Sequence, residues 1–168
     1  MIIVSSIWSI ESALETYSPS HMISILNPGA YMKTPKRVKN RDHFRVEFDD
    51  VDVCNPWDKY PTQSHMEQIL EFGTKAINGG HPVLIHCTAG VSRSPAAALI
   101  LAASLTKLSM PDLVKVLREK APYSRPNWLM VELGEKLLGL NSELSDALRQ
   151  SQPTDLPSSP EPFVLNVI

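Results

Sequence analysis

The sequence predicts an α/β fold: a central, mainly parallel sheet of four to five strands flanked by helices on both sides. Short apolar runs alternate with longer stretches of helical periodicity, the pattern that parallel strands joined by crossover helices produce. Pro82-Val83-Leu84-Ile85 is short, continuous and rich in β-branched residues, as a strand covered on both faces is. The run that follows it, Ala96 to Ala103, is Ala/Leu-rich and apolar nearly all round, which makes it a helix at the protein's centre.

Taken in order, Ile2 to Ser5 reads as a first strand. Ser9 to Tyr17 reads as a short helix, with Ile10, Leu14 and Tyr17 at helical spacing and a stop at Ser18-Pro19. His21 to Leu26 is a second strand closed by the turn Asn27-Pro28-Gly29, and His21 is a strand-end residue with no chemical role. From Lys33 to Arg45 six basic residues meet one acid, Asp42. A solvated connecting loop is the expectation there, a basic rim that attracts anions the alternative. Phe44 to Phe48 alternates apolar and polar, a third strand. Asp49 to Asp58 is a loop dense in carboxylates that also carries Cys54 and Trp57.

Ser64 to Asn78 is a helix, with Ser64 and Glu67 in capping-box register, a stripe of Met66, Ile69, Leu70 and Ala76, and Asn78-Gly79-Gly80 as its stop. His65 then faces solvent. The central helix spans Ser94 to Leu108. Ser109 to Lys120 follows with Ser109 and Asp112 in capping register, and Asn127 to Leu140 closes the core. Beyond Asn141 a weak helix, Ser142 to Arg149, gives way to a segment with Pro153, Pro157, Pro160 and Pro162. That composition predicts an extended or mobile tail. Its Phe163-Val164-Leu165 docks either on a partner or on the domain itself. The expected division is therefore a domain over 1–141 and a tail over 142–168.

At 168 residues the chain is long enough for one domain with a sizeable core. A net charge of −2 gives no reason to expect nucleic acid as a partner. Two cysteines and no basic-then-apolar leader point to a reducing cytoplasm. No apolar run approaches the ~20 residues that span a bilayer. With no Gly at position 2 and no C-terminal Cys box, no lipid anchor and no membrane partner is expected.

The chemistry concentrates in His86-Cys87-Thr88-Ala89-Gly90-Val91-Ser92-Arg93-Ser94, a Cys and an Arg with five residues between them on a strand-to-helix turn. The first N–H groups of a helix lack intrahelical partners and carry the positive end of the dipole, which suits an anion. The N–H groups from Thr88 through Ala89, Gly90, Val91 and Ser92 to Arg93 can curl into a nest around three phosphoryl oxygens. Gly90 permits the φ this needs. Arg93 adds a planar fork for two oxygens. Cys87 then lies below the phosphorus, where helix terminus and cation favour the nucleophilic thiolate. Ser94 can donate a hydrogen bond to that thiolate, and His86 orders the loop through its ring N–H.

The stretch HCTAGVSRS resembles the signature loop of the cysteine-dependent protein tyrosine phosphatases, and the short chain is most similar to their compact dual-specificity branch. Arg125-Pro126-Asn127 before a late helix is similar to that branch's Pro-Asn motif, whose Asn helps hold the phosphate loop. The resemblance spans roughly residues 44 to 138. It implies the tyrosine phosphatase-like fold, hydrolysis of phosphomonoesters through a cysteinyl-phosphate, and no cofactor or metal. It also implies a general acid on a separate loop, after a strand and before the nucleophile. Phe48-Asp49-Asp50 matches that placement and Asp50 is the choice, with Asp49 and then Asp58 as alternatives. Cys54 in the same loop is read as a plain thiol, a reversible disulfide with Cys87 being the alternative. Trp57 either walls the mouth of the site or packs in the loop or core. Thr88, Ala89, Val91 and Ser92 bring no further cation, unlike relatives that grip phosphoinositides. The implied substrate is therefore phosphotyrosine or phosphoserine/threonine in proteins, or a small phosphoester. Phosphoprotein binding without turnover and an arsenate-type reductase are the rivals. The first is disfavoured by the intact Cys87, Arg93 and Ser94, the second by the mid-chain position of the loop.

Overall fold

In the computed structural model, which describes residues 1–166, strands β1 (Ile2–Ser6), β2 (His21–Leu26), β3 (His43–Glu47), β4 (Val83–Cys87) and β5 (Phe163–Leu165) form one sheet. Its order is β3-β2-β4-β1-β5. The first four strands are mutually parallel, and β5 runs antiparallel to β1. The helices are α1 (Ile10–Tyr17), α2 (Gln63–Asn78), α3 (Arg93–Leu105), α4 (Met110–Lys120), α5 (Trp128–Leu138) and α6 (Glu143–Gln150). This is the mainly parallel sheet that the strand–helix alternation predicts, at the upper end of the expected four to five strands because the tail supplies β5.

Side chains alternate between two cores because successive strand residues face opposite ways. Ile2, Val4, Ile23, Ile25, Val83 and Ile85 point to the larger core, shared with α2 to α6. Ile3, Met22 and Leu84 point to a smaller one, closed by Ile10, Ala13 and Leu14 of α1 and by Val38. Both faces are covered, which is why the central strands read as unbroken apolar runs. α3 is buried from Arg93 through Ala102 and forms the axis of the larger layer. Gly134 of α5 lets that helix approach closely: a Cβ there would lie 2.6 Å from Ile100 Cδ1.

Several boundaries differ from expectation. α2 starts one turn-residue earlier, because Thr62 rather than Ser64 is its cap: Thr62 Oγ1 accepts from the His65 N–H at 3.3 Å, and His65 Nδ1 accepts from the Thr62 N–H at 3.2 Å. His65 is thus half-buried rather than solvent-facing, its ring stacked on Phe48 at 5.2 Å. α3 ends at Leu105, since Thr106 turns extended and its hydroxyl accepts from Leu108 N.

The largest correction concerns the tail. α6 buries Leu144, Ala147 and Leu148 in the larger core, and the 5% exposed carboxylate of Glu135 accepts from Leu144 N and Ser145 N at 2.7 and 2.8 Å. An anion at an N-terminus stabilises a helix whose propensity is weak. Phe163 and Leu165 of β5 enter the same core, each worth about 1.5–3 kcal/mol of apolar burial. Phe163-Val164-Leu165 therefore docks on the domain itself. The Pro/Ser composition describes the connection between α6 and β5, not its anchored end. Residues 167 and 168 of that tail lie outside the described residues.

Candidate active site

The site sits where parallel α/β sheets bind ligands, outside the carboxyl ends of the strands. β4 ends in Cys87, which is 1% exposed, and α3 begins at Arg93, so residues 88–92 form the turn between them. Gly90 takes φ +74°, and a Cβ there would lie 2.7 Å from Ser6 N and 2.9 Å from Ser5 C. Only glycine fits: its backbone presses on β1 in the left-handed region.

The turn's carbonyls are drawn outward. Thr88 O accepts from Ile7 N at 3.0 Å, Val91 O from Arg125 N at 2.8 Å and Ser92 O from Asn127 N at 3.2 Å. In a trans peptide the C=O and the following N–H point opposite ways. The N–H groups of Ala89, Ser92 and Arg93 are therefore turned to the concave side. Cys87 Sγ accepts from Gly90 N at 3.3 Å and from Ser94 Oγ at 3.2 Å.

Arg93 is 3% exposed and anchored from behind. Its Nη1 donates to Phe48 O at 2.8 Å, and its Nη2 donates to Asn27 Oδ1 at 2.9 Å and Thr88 Oγ1 at 3.4 Å. Its buried Nε has no hydrogen-bond acceptor, and Asp50 Oδ2 lies 3.6 Å away. A guanidinium fixed on one side with a free donor on the other is suited to an oxyanion.

The two adjacent aspartates have different surroundings. Asp49 closes its own loop: Oδ1 accepts from Asn27 Nδ2 at 3.0 Å and Oδ2 from Lys59 N at 2.9 Å. Asp50 leans over the turn, its Oδ1 accepting from Ser92 Oγ at 2.6 Å and Asn127 Nδ2 at 2.9 Å. Asn127 also caps α5, its Oδ1 accepting from Met130 N at 3.0 Å, so one residue ties that helix to the acidic loop. Asp52 Oδ1 accepts from Trp128 N at 2.7 Å beside it.

His86 is fully buried, with Nδ1 3.3 Å from the Cys87 carbonyl. Burial pushes its pKa down to about 4, partly offset by that hydrogen bond, so the ring is neutral near pH 7.

Cys87, Thr88, Ala89, Gly90, Val91, Ser92, Arg93, Ser94, His86, Asn127 and Asp50 are thus gathered in one place. Cys54 is not: it is exposed, and both thiols are free. Trp57 is 91% exposed, which rules out the core-packing alternative. In the sequence Asn27 and Asp52 read only as turn or loop residues, and Asp49 as the second choice for the acid. For Asn27 a signal existed, a polar side chain directly after a parallel strand, at the sheet end where sites form. Among the described residues no cluster of three or more His, Cys, Asp or Glu side chains is placed to hold a metal.

Fold and turn together define a protein tyrosine phosphatase-like phosphoric monoester hydrolase. A family model described as "Dual specificity phosphatase, catalytic domain" matches residues 11–136, and the chain belongs to that family. Among solved structures it is similar to the human tyrosine phosphatase-like serine/threonine/tyrosine-interacting protein. That match has 18% identity, 83% of this chain and 92% of that one covered, and TM-score 0.64. Human DUSP28 matches at 18% identity over 84% and 95% of the two chains, TM-score 0.65. PTPMT1 in complex with PI(5)P matches at 12% identity over 89% and 94%, TM-score 0.62. At these identities the likeness is one of fold. Among the described residues no helix is long and apolar enough to cross a membrane.

Proposed function

We propose that the chain hydrolyses phosphotyrosine, and phosphoserine or phosphothreonine, in proteins by two displacements at phosphorus. The observation that carries this reading is the buried Cys87 sulfur receiving two hydrogen bonds beneath a turn closed by Arg93. The turn amides and the Arg93 guanidinium hold the three non-bridging oxygens and stabilise charge in the transition state. The Cys87 thiolate attacks phosphorus; an S–P bond forms as the P–O bond to the leaving group breaks. The carboxylic acid of Asp50 gives its proton to the departing oxygen, which a phenolate with a conjugate-acid pKa of about 10 requires. Asp50, now a carboxylate, takes a proton from water as that water attacks phosphorus. The S–P bond breaks, inorganic phosphate leaves, and the Ser94 hydroxyl stabilises the released thiolate.

Asp50 is preferred over Asp49 because both oxygens of Asp49 are engaged away from the turn, whereas Asp50 faces it. Among the turn's side chains Arg93 is the one cation, which favours a single phosphoryl group on a protein over a multiply phosphorylated headgroup. The test is hydrolysis of an aryl phosphate in chelator. Activity that disappears in Cys87→Ser is expected; activity that survives that change contradicts the reading. Comparing a phosphotyrosine peptide with a phosphoinositide then tests the substrate class.

A further inference from the structure

Three polar side chains cross the smaller-core face of the sheet: His43 at the start of β3, Ser24 in the middle of β2, and His86 near the end of β4. They are 6%, 1% and 0% exposed, respectively. Buried groups of this kind need partners, and here each finds the next. Thr34 Oγ1 lies 2.9 Å from His43 Nδ1, His43 Nε2 lies 2.7 Å from Ser24 Oγ, and Ser24 Oγ in turn contacts His86 Nε2. Outside the buried row, Arg45 Nη2 donates to Thr34 Oγ1, while Arg45 Nε holds Met32 O at 3.2 Å.

The two ends determine which way every hydrogen points. The Cys87 carbonyl can only accept, so His86 carries its proton on Nδ1. Burial pushes both rings down to about 4, His43 further disfavoured as a cation by Arg45 and His86, so each is neutral and holds one N–H. His86 Nε2 is then an acceptor, and the Ser24 hydroxyl donates to it. That uses the only hydrogen Ser24 has, so His43 must donate from Nε2. His43 Nδ1 is left to accept from the Thr34 hydroxyl, and Thr34 accepts from Arg45, which can only donate. No link conflicts with another.

We propose that Thr34, His43 and Ser24 are positioning residues: they form a one-directional hydrogen-bond relay from the Arg45 guanidinium to the carbonyl of Cys87, locking the ring that sets the floor of the phosphate loop. The relay rests on the phosphatase reading above, but its geometry is tested apart from turnover. Long-range proton–nitrogen correlation on the full chain labelled at histidine reads the tautomers directly. His86 protonated on Nδ1 and His43 on Nε2 are expected; the opposite tautomer at either ring overturns the relay, whether or not the protein hydrolyses phosphate.

Kinetics with an aryl phosphate test the positioning. Ser24→Ala lowers kcat by about tenfold with KM little changed, because a displaced nucleophile affects the chemical step more than binding. It also mixes the His86 tautomers. Thr34→Val, at a half-buried position outside the core, mixes the His43 tautomers and lowers kcat less, and Thr34→Ser restores both. Wild-type kcat in both Ser24→Ala and Thr34→Val overturns the positioning role. If Ser24→Ala does not fold, Thr34→Val with its serine rescue and the wild-type tautomers decide the matter.

Discussion

Two loops meet at the site and are built in opposite ways. The phosphate loop, residues 87–94, is held by its backbone: outward carbonyls bonded to Ile7, Arg125 and Asn127, and a glycine pressed on β1. The carboxylate loop, residues 49–59, is held largely by side chains, through Asn27 and Lys59 on Asp49, Ser92 and Asn127 on Asp50, and Trp128 on Asp52. Backbone anchoring tolerates no change in position but accepts varied side chains. Side-chain anchoring lets neighbouring aspartates take unrelated jobs.

The sharpest way to break this contrast is Gly90→Ala. The added methyl meets β1 backbone and a positive φ, so activity is lost and stability falls by at least about 2 kcal/mol, read by denaturant unfolding and an aryl phosphate assay. A near-wild-type Gly90→Ala would mean that the loop is not fixed by its backbone. Asp50→Asn comes next. With a poor leaving group such as phenyl phosphate the rate falls by about 10²–10⁴, while an activated aryl ester with a good leaving group is largely spared. Equal losses on both esters would make Asp50 a structural residue.

Asp49→Asn sharpens the difference within one dipeptide. It weakens the contacts to Asn27 and Lys59, costing about 1 kcal/mol of stability, and shows no dependence on the leaving group. A leaving-group dependence there instead of at position 50 would exchange the roles of the two aspartates. Acid pH gives a change that involves the sheet beneath the phosphate loop rather than the carboxylates. His43 and His86 are held at about 4 in the fold against an ordinary 6.5. As pH falls from 6.5 toward 4 the unfolded chain binds protons that these rings refuse, so this contribution, present above 6.5, is progressively lost. Unfolding midpoints measured across that window should fall with pH, and the slope should lessen when His43 is replaced by Asn.

What the sequence disclosed follows the same contrast. Cys87, Gly90 and Arg93 were legible because strand, turn and helix are local and each residue type has few reasons to be there. The sheet was legible because strands buried on both faces are unbroken apolar runs. Asn27 was not legible as an anchor for Arg93, because 66 residues separate partners that meet only after β2 and β4 pair. The helix α6 was legible, but its burial and the strand β5 were hidden for a related reason. Their burial depends on the unpaired edge of β1 and on Glu135, while local composition reports only the prolines between them. His65 was misread because its capping role uses a ring nitrogen where a Glu or Gln is the usual signal.

The central claim is that phosphorus passes through sulfur. Rapid acid quenching of the protein during turnover of an isotopically labelled aryl phosphate should leave label on the peptide containing Cys87, and none in Cys87→Ser. Label on no residue, or on any residue other than Cys87, while phosphate is still released would contradict it.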